Sequence, residues 1–304
     1  MNNLFYLYHE LDIEQVWYSD TDNYLQLLAD EFDGACSIGI DKNFPARFLI
    51  PLMNLVDECH FELGSECVDR VRMIKDEKEQ QLMIEASKIN DLVVDEVINI
   101  CAKGNLTEEE VSKQLEGIYQ KHGCVGNSFE PIVAYGKNGA DNHHSGDDSR
   151  LKAGDSIVID IGGLYKGYCS DMTRTVFYKE VSPKQKTVYE LVLKAQKAAE
   201  AMIKPGVRLC DIDKCARDII AEGCYTVEFN HRLGHFIGRD VHEWCDVSQN
   251  FDLEVQEGMT FSIEPGVYLQ GEFGVRIEDL VLVTKDGCKV LNSYPKDLRI
   301  IGND

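Results

Sequence analysis

Two stretches decide the fold: GDSIVIDIGG (154–163) and GMTFSIEPGV (258–267). In each, a glycine is followed six positions on by a carboxylate that closes an apolar run, Asp160 in one and Glu264 in the other. A glycine stands two positions further on in both, Gly162 and, after Pro265, Gly266. Runs this apolar on both faces read as central strands. A second carboxylate follows each run, Asp171 after the first and Glu278 after the second.

The flanking chain repeats with them. Ahead of the first stretch, Leu82, Ala86, Ile89, Val93, Val97 and Ile100 recur at helical spacing in a segment that opens near Lys75 and ends at Gly104. Thr107 then caps a second helix, with Glu108, Glu109 and Glu110 in its first turn, where carboxylates favour the helix dipole. Strands are predicted over 128–135, 156–161 and 168–178. Ahead of the second stretch, Ser182-Pro183 opens a long helix with Gln185 at the capping-box position, and Pro205-Gly206 ends it. A shorter helix over 211–222 stops at Gly223, and strands are predicted over 260–264, 275–284 and 289–291. Each half reads long helix, glycine, shorter helix, glycine, strands. This predicts an α+β fold built by internal duplication, with two carboxylates from each half meeting at a pseudo-two-fold axis.

Residues 1–70 have another texture, with short apolar stretches among turn formers. A strand near 36–40 and helices near 23–31 and 45–57 predict a small α/β unit, short for an independent domain. The expected organisation is thus 1–70 followed by a larger domain over 71–304.

A carboxylate at the end of a buried strand is costly unless it is paired, hydrogen-bonded or bound to a metal. An ion pair with Arg174 or Arg276, or a backbone hydrogen bond, would satisfy any one of these acids. Four at matched positions in two halves cannot all stay ionised together without cations. Oxygen-rich sets suit manganese, magnesium or calcium, and one imidazole moves the balance towards transition metals. Of eight histidines, five fall between His143 and His242. HRLGHFIGRDVHE (231–243) holds His231, His235 and His242, and reads as loop and strand. ADNHHSGDD (140–148) places His143 and His144 in a polar loop before the first acidic strand. Ordinary exposed loops are the alternative for both. Four carboxylates and one histidine could hold two ions about 3.5–4 Å apart, which clamp a water and polarise a carbonyl.

The 304 residues carry a net charge of −22, with 44% apolar and 28% charged residues. That charge repels phosphate backbones and anionic lipid, so neither nucleic acid nor membrane is an expected partner. No apolar run approaches the roughly 20 residues of a membrane span. MNNLFYLYHELD at the start lacks a basic segment followed by an apolar one. A cytoplasmic location is expected. The eleven cysteines are odd in number and contain no CxxC pair, and read as reduced, mostly buried thiols.

IDIGGLYKGYCSDMTRT, HRLGHFIGRDVHE, FSIEPGVY and GVRIEDLVLVT, in this order and spacing, resemble the pita-bread metallopeptidases, and within them the Xaa-Pro dipeptidase (prolidase) and aminopeptidase P branch. The resemblance covers about Arg72 to Asp304. It implies two divalent metal ions held by Asp160, Asp171, His235, Glu264 and Glu278. Manganese is the first choice, with cobalt, iron or zinc as alternatives. Glu264 would also be the general base. The resemblance further implies catalytic roles for His143, eleven residues before Gly154, and for His242, with His231 and Arg276 contacting substrate. The implied activity is hydrolysis of the Xaa-Pro bond in dipeptides or short peptides by a metal-activated hydroxide, in a homodimer. The alternatives are an aminopeptidase P acting on longer peptides, a creatinase-like enzyme, or a non-catalytic protein of the same fold. Two departures stand out. Phe236 replaces a commonly smaller residue or tryptophan and is expected to narrow the pocket. Residues 1–70, where DKNFPARFLIPLM resembles the later part of a creatinase-like N-terminal domain, are about half the usual length.

Overall fold

The computed structural model describes residues 15–32, 34 and 36–303. The segment read above for a leader lies outside them. The chain divides into two compact units, one ending at Asp69 and one beginning at Arg70. In the first, Asn23 caps α1 (Tyr24–Ala29) by accepting from the Gln26 amide. Strands β1 (Ser37–Ile40) and β2 (His60–Leu63) pair in parallel, with α2 (Ala46–Leu55) as the crossover a parallel pair requires. Helix α3 (Ser65–Met73) contains the division.

The second unit carries the repeat. Its first half contains α4 (Glu77–Ala102), α5 (Glu108–Lys121), β3 (Ile132–Tyr135), β4 (Ser156–Ile161), a small pair β5 (Leu164–Tyr165) and β6 (Tyr168–Cys169), and β7 (Met172–Tyr178). Its second half contains α6 (Pro183–Met202), α7 (Leu209–Glu222), β8 (Gly234–Phe236), β9 (Glu243–Val247), β10 (Thr260–Ile263), β11 (Gly266–Leu269), β12 (Phe273–Arg276), β13 (Asp279–Thr284), β14 (Gly287–Val290) and the short β15 (Ile300–Ile301). Capping boxes close the starts of α4 (Asp76 with Glu79), α5 (Thr107 with Glu110) and α6 (Ser182 with Gln185). The main sheets run β15-β7-β4-β3 and β14-β13-β10-β8-β9. Antiparallel β3-β4-β7 and β8-β10-β13 follow the same succession; the middle strand carries Asp160 in the first and leads directly into Glu264 in the second. The duplication is therefore present in the topology.

Alternation along these strands positions the acids. Ile157, Ile159 and Ile161 enter an apolar cluster with Val93 and Val97 of α4 and Leu115 of α5. Asp160 therefore faces away from the helices. Phe261 and Ile263 likewise pack with Val188 and Val192 of α6 and Ile212 of α7, which leaves Ser262 and Glu264 on the opposite face.

Some expected strands differ. The run 168–178 is broken between β6 and β7 at Ser170–Asp171, and 275–284 between β12 and β13 at Ile277–Glu278. The second break is imposed across the halves, where the Glu278 amide donates to the Thr173 carbonyl at 3.1 Å. The strand expected from 128 starts at Ile132, because Pro131 has no N–H for the ladder. All eleven cysteines are free thiols, but only Cys101, Cys124, Cys169 and Cys245 are buried, so the buried-thiol reading fails for most of them. Among the described residues no helix is long and apolar enough to cross a membrane.

Candidate metal centre

Asp171, His235 and Glu278 each offer a ligand atom, and these atoms all lie within 4.8 Å of one another. They are 4, 3 and 1% exposed, so the cluster is closed to bulk water on most sides. Glu264 stands at its edge, with Oε1 3.5 Å from His235 Nε2, the same separation as Asp171 Oδ2. Asp160 joins through Arg276, whose Nη2 donates to its Oδ2 at 2.6 Å. All five line one cleft of about 750 Å³, together with His143, His231, His242 and Arg276. That size is in the range of small-ligand sites.

The donors fit divalent cations. Asp160 Oδ1, Asp171 Oδ1 and Glu278 Oε1 are buried and have no hydrogen-bond partner among the described residues. Three such oxygens in one cluster are costly unless positive charge compensates them. Burial first, then repulsion from neighbouring carboxylates, pushes Asp171 and Glu278 well above the usual carboxylate range. Burial also raises Glu264, against the opposing charges of His235 and Arg276. Bound cations would invert this balance. His235 Nδ1 lies 3.2 Å from the Phe236 carbonyl, so with its proton there Nε2 keeps the lone pair a metal needs. The chain also holds its donors from behind. Ser262 Oγ accepts from the His235 amide at 3.0 Å and donates to Glu264 Oε1 at 3.0 Å. Thr173 Oγ1 donates to Glu278 Oε2 at 2.7 Å.

The ion pair weighed above for a single acid exists for Asp160, through Arg276, yet it satisfies only one of the two oxygens. Arg276 is 3% exposed and donates also to Tyr268 Oη at 2.8 Å and Thr173 Oγ1 at 3.1 Å. Arg174 is directed elsewhere, to Asp279 at 2.7 Å. His231 continues the Arg276–Tyr268 chain, with Nε2 3.0 Å from Tyr268 Oη and Nδ1 on the Arg232 carbonyl. Burial and then the Arg276 charge push its pKa down to about 3. The His242 ring stands edge-on to His235 with centroids 4.4 Å apart, and burial, then the His235 charge, lowers its pKa to about 4. His143 and His144 both line the cleft; His143 is exposed, and the His144 ring turns to Glu108 at 2.6 Å.

Phe236 does not narrow the cleft. It is fully buried against Phe261, because strand alternation sends it to the side opposite His235. Tyr268, Thr173 and Ser262 escaped the sequence reading, which gave Glu108 only a place in a helix's first turn. Ser262, two positions before Glu264 on the same strand, was findable from alternation alone.

Residues 81–285 match the profile of metallopeptidase family M24. The chain belongs to this family. The Xaa-Pro dipeptidase of Pyrococcus horikoshii is 39% identical to this M24 chain over 273 residues, 88% of the chain and 78% of that protein. Bacillus subtilis YkvY is 45% identical over 241 residues, 79% of the chain and 66% of YkvY, so the match spans slightly less than two thirds of that relative. The crystal structure of a recombinant prolidase from Thermococcus sibiricus superposes with a TM-score of 0.92 at 34% identity, covering 98% of this chain and 83% of that one. The duplicated α+β architecture is the pita-bread fold of M24.

Proposed function

We propose that the chain is a metal-dependent peptidase that hydrolyses the Xaa-Pro bond of dipeptides, with two divalent ions held by Asp160, Asp171, His235, Glu264 and Glu278. The observation that carries this reading is the set of buried, unpartnered carboxylate oxygens beside an imidazole with a free lone pair, lining a cleft large enough for a dipeptide. The Xaa-Pro dipeptidase and prolidase relatives support the substrate class. When bound, the two ions would polarise the scissile carbonyl and make a water more acidic. Glu264 would serve as general base and acid, with Ser262 fixing Oε1 and leaving Oε2 to take a proton from the attacking water and pass it to the leaving proline nitrogen. His143 and His242 stand on the substrate side and donate to the carbonyl oxygen as negative charge develops there. Low basicity keeps the His242 ring neutral at pH 7, so it enters this role with one N–H. His231 and Arg276, joined through Tyr268, contact the substrate, and the guanidinium charge suits its terminal carboxylate.

Manganese, a homodimer and a cytoplasmic location belong to the same proposal. The oxygen-rich set favours manganese over thiophilic metals. The free thiols suit a reducing compartment. Residues 1–70 are read as part of a creatinase-like N-terminal domain. A metal-free creatinase-like reaction has no use for unpaired buried acids, which disfavours that alternative. The test is hydrolysis of an Xaa-Pro dipeptide and a longer Xaa-Pro peptide by metal-stripped protein, before and after manganese. Cleavage only with metal and preference for the dipeptide support the reading. Preference for the longer peptide makes it an aminopeptidase P, and cleavage of neither by metal-loaded protein refutes it.

A further inference from the structure

Glu108 is one of three consecutive glutamates opening α5, yet it is 0% exposed while Glu109 and Glu110 face solvent. A carboxylate is buried at such cost only where donors meet it. Oε1 accepts from the Tyr135 amide at 2.6 Å and from Asn138 Nδ2 at 3.0 Å. Oε2 accepts from the Asp147 amide at 3.1 Å and lies 2.6 Å from His144 Nε2. Three of these donors are obligatory, and the fourth contact holds one proton between Glu108 Oε2 and His144 Nε2. Glu108, His144 and Asp147 also have cation-like spacing. The Asn138 amide, however, lies 3.0 Å from Glu108 and 3.5 Å from Asp147, which puts a donor where an ion would sit. The cluster is a hydrogen-bonded hub.

The hub fastens the loop that carries His143. The Glu108 and Glu109 amides donate to the Ser149 and Asp147 carbonyls at 3.3 and 3.1 Å. At Gly146 a Cβ would stand 3.3 Å from the Glu108 backbone, so loop and helix start touch without a gap. His143 is bound into one turn with His144. Its amide donates to Asp141 Oδ1 at 3.1 Å and the His144 amide to the Asp141 carbonyl at 3.2 Å. The two backbones are therefore held in one turn that the His144 ring anchors to Glu108, while the His143 side chain lines the cleft.

We propose that Glu108 is a positioning residue, holding His144 and through it the turn that presents His143 to the substrate. This rests on His143 having the catalytic role given above. The test uses the full chain loaded with manganese, an Xaa-Pro dipeptide, and rates normalised to bound metal. Glu108→Gln is expected to lower kcat about 10–100-fold with KM and metal content nearly unchanged, since a displacement of about 1 Å can cost 10²-fold. His144→Ala is expected to fall about 10-fold and His144→Gln, which keeps a donor, to recover most of it. These two variants carry the test should Glu108→Gln fail to fold. In the His143→Ala background, Glu108→Gln or His144→Ala should add no further loss. Multiplicative losses, an unchanged kcat in both the Glu108 and His144 variants, or a fall in kcat explained by lost metal would overturn the proposal while leaving the role of His143 intact. A His143→Ala enzyme with full kcat would instead refute the underlying assignment and this inference with it.

Discussion

Arg174→Met removes a fully buried guanidinium behind Glu278. Arg174 Nη2 pairs with Asp279 at 2.7 Å, with side chains 2 and 0% exposed, and donates to the Tyr294 carbonyl at 2.7 Å. Nη1 donates to the Glu278 and Thr173 carbonyls. Methionine fills much of the volume and offers no donor. Removing one partner of a buried pair costs about 3–5 kcal/mol. Lys296 still reaches Asp279 at 2.5 Å, which puts this site at the lower end. The Thr173 carbonyl keeps the Glu278 amide, so two carbonyls, those of Glu278 and Tyr294, lose a partner at about 1 kcal/mol each. The total is roughly 4–6 kcal/mol, or a fall in Tm of about 10–20 °C for a unit of this size. Urea unfolding of metal-stripped protein measures it as a lower midpoint at unchanged m. Adding Asp279→Leu removes the carboxylate left with only part of its compensation, while Lys296 keeps Glu200 at 2.9 Å, and should restore about half. A loss below about 1 kcal/mol, or a double variant less stable than the single, would refute the reasoning.

Asp171→Asn should remove most of the bound metal and nearly all activity, as read by elemental analysis and turnover; near-normal turnover would sink its assignment as a ligand. Gly234→Ala would place a Cβ 1.9 Å from the Ser262 carbonyl oxygen, which forces β8 from β10 and breaks the His235 amide bond to Ser262. A metal titration should show affinity reduced about 10–100-fold, and unchanged affinity would show that this seam does not hold His235. For His231 the folded pKa of about 3 lies below the ordinary 6.5, so the unfolded chain binds more protons and stability falls as pH drops from 6.5 towards 3. Unfolding of His231→Gln should depend less steeply on pH over that window, and an equal dependence would show that His231 is not held neutral.

The duplication was legible because it is written in local patterns. Apolar runs closed by Asp160 and Glu264, and caps at Thr107 and Ser182, need no knowledge of distant residues. The strand breaks at Asp171 and Glu278 were not legible, since the second depends on the Thr173 carbonyl, 105 residues away from Glu278 in the chain. Glu108 looked like its two neighbours for the same reason. Its distinguishing partners, Tyr135 and Asp147, lie 27 and 39 residues further on. Phe236 was misjudged for a local reason: its glycine-rich surroundings hid a three-residue strand in which His235 and Phe236 must point opposite ways.

The proposed donors are divided between the halves, with Asp160 and Asp171 in the first and His235, Glu264 and Glu278 in the second. A chain emerging from the ribosome therefore exposes its first two acids long before the remaining three exist. Arg276, the counter-ion of Asp160, arrives only just ahead of Glu278. The complete set cannot form until the chain has been made as far as Glu278. An ion held by all five donors would therefore be taken up only after both halves have been made.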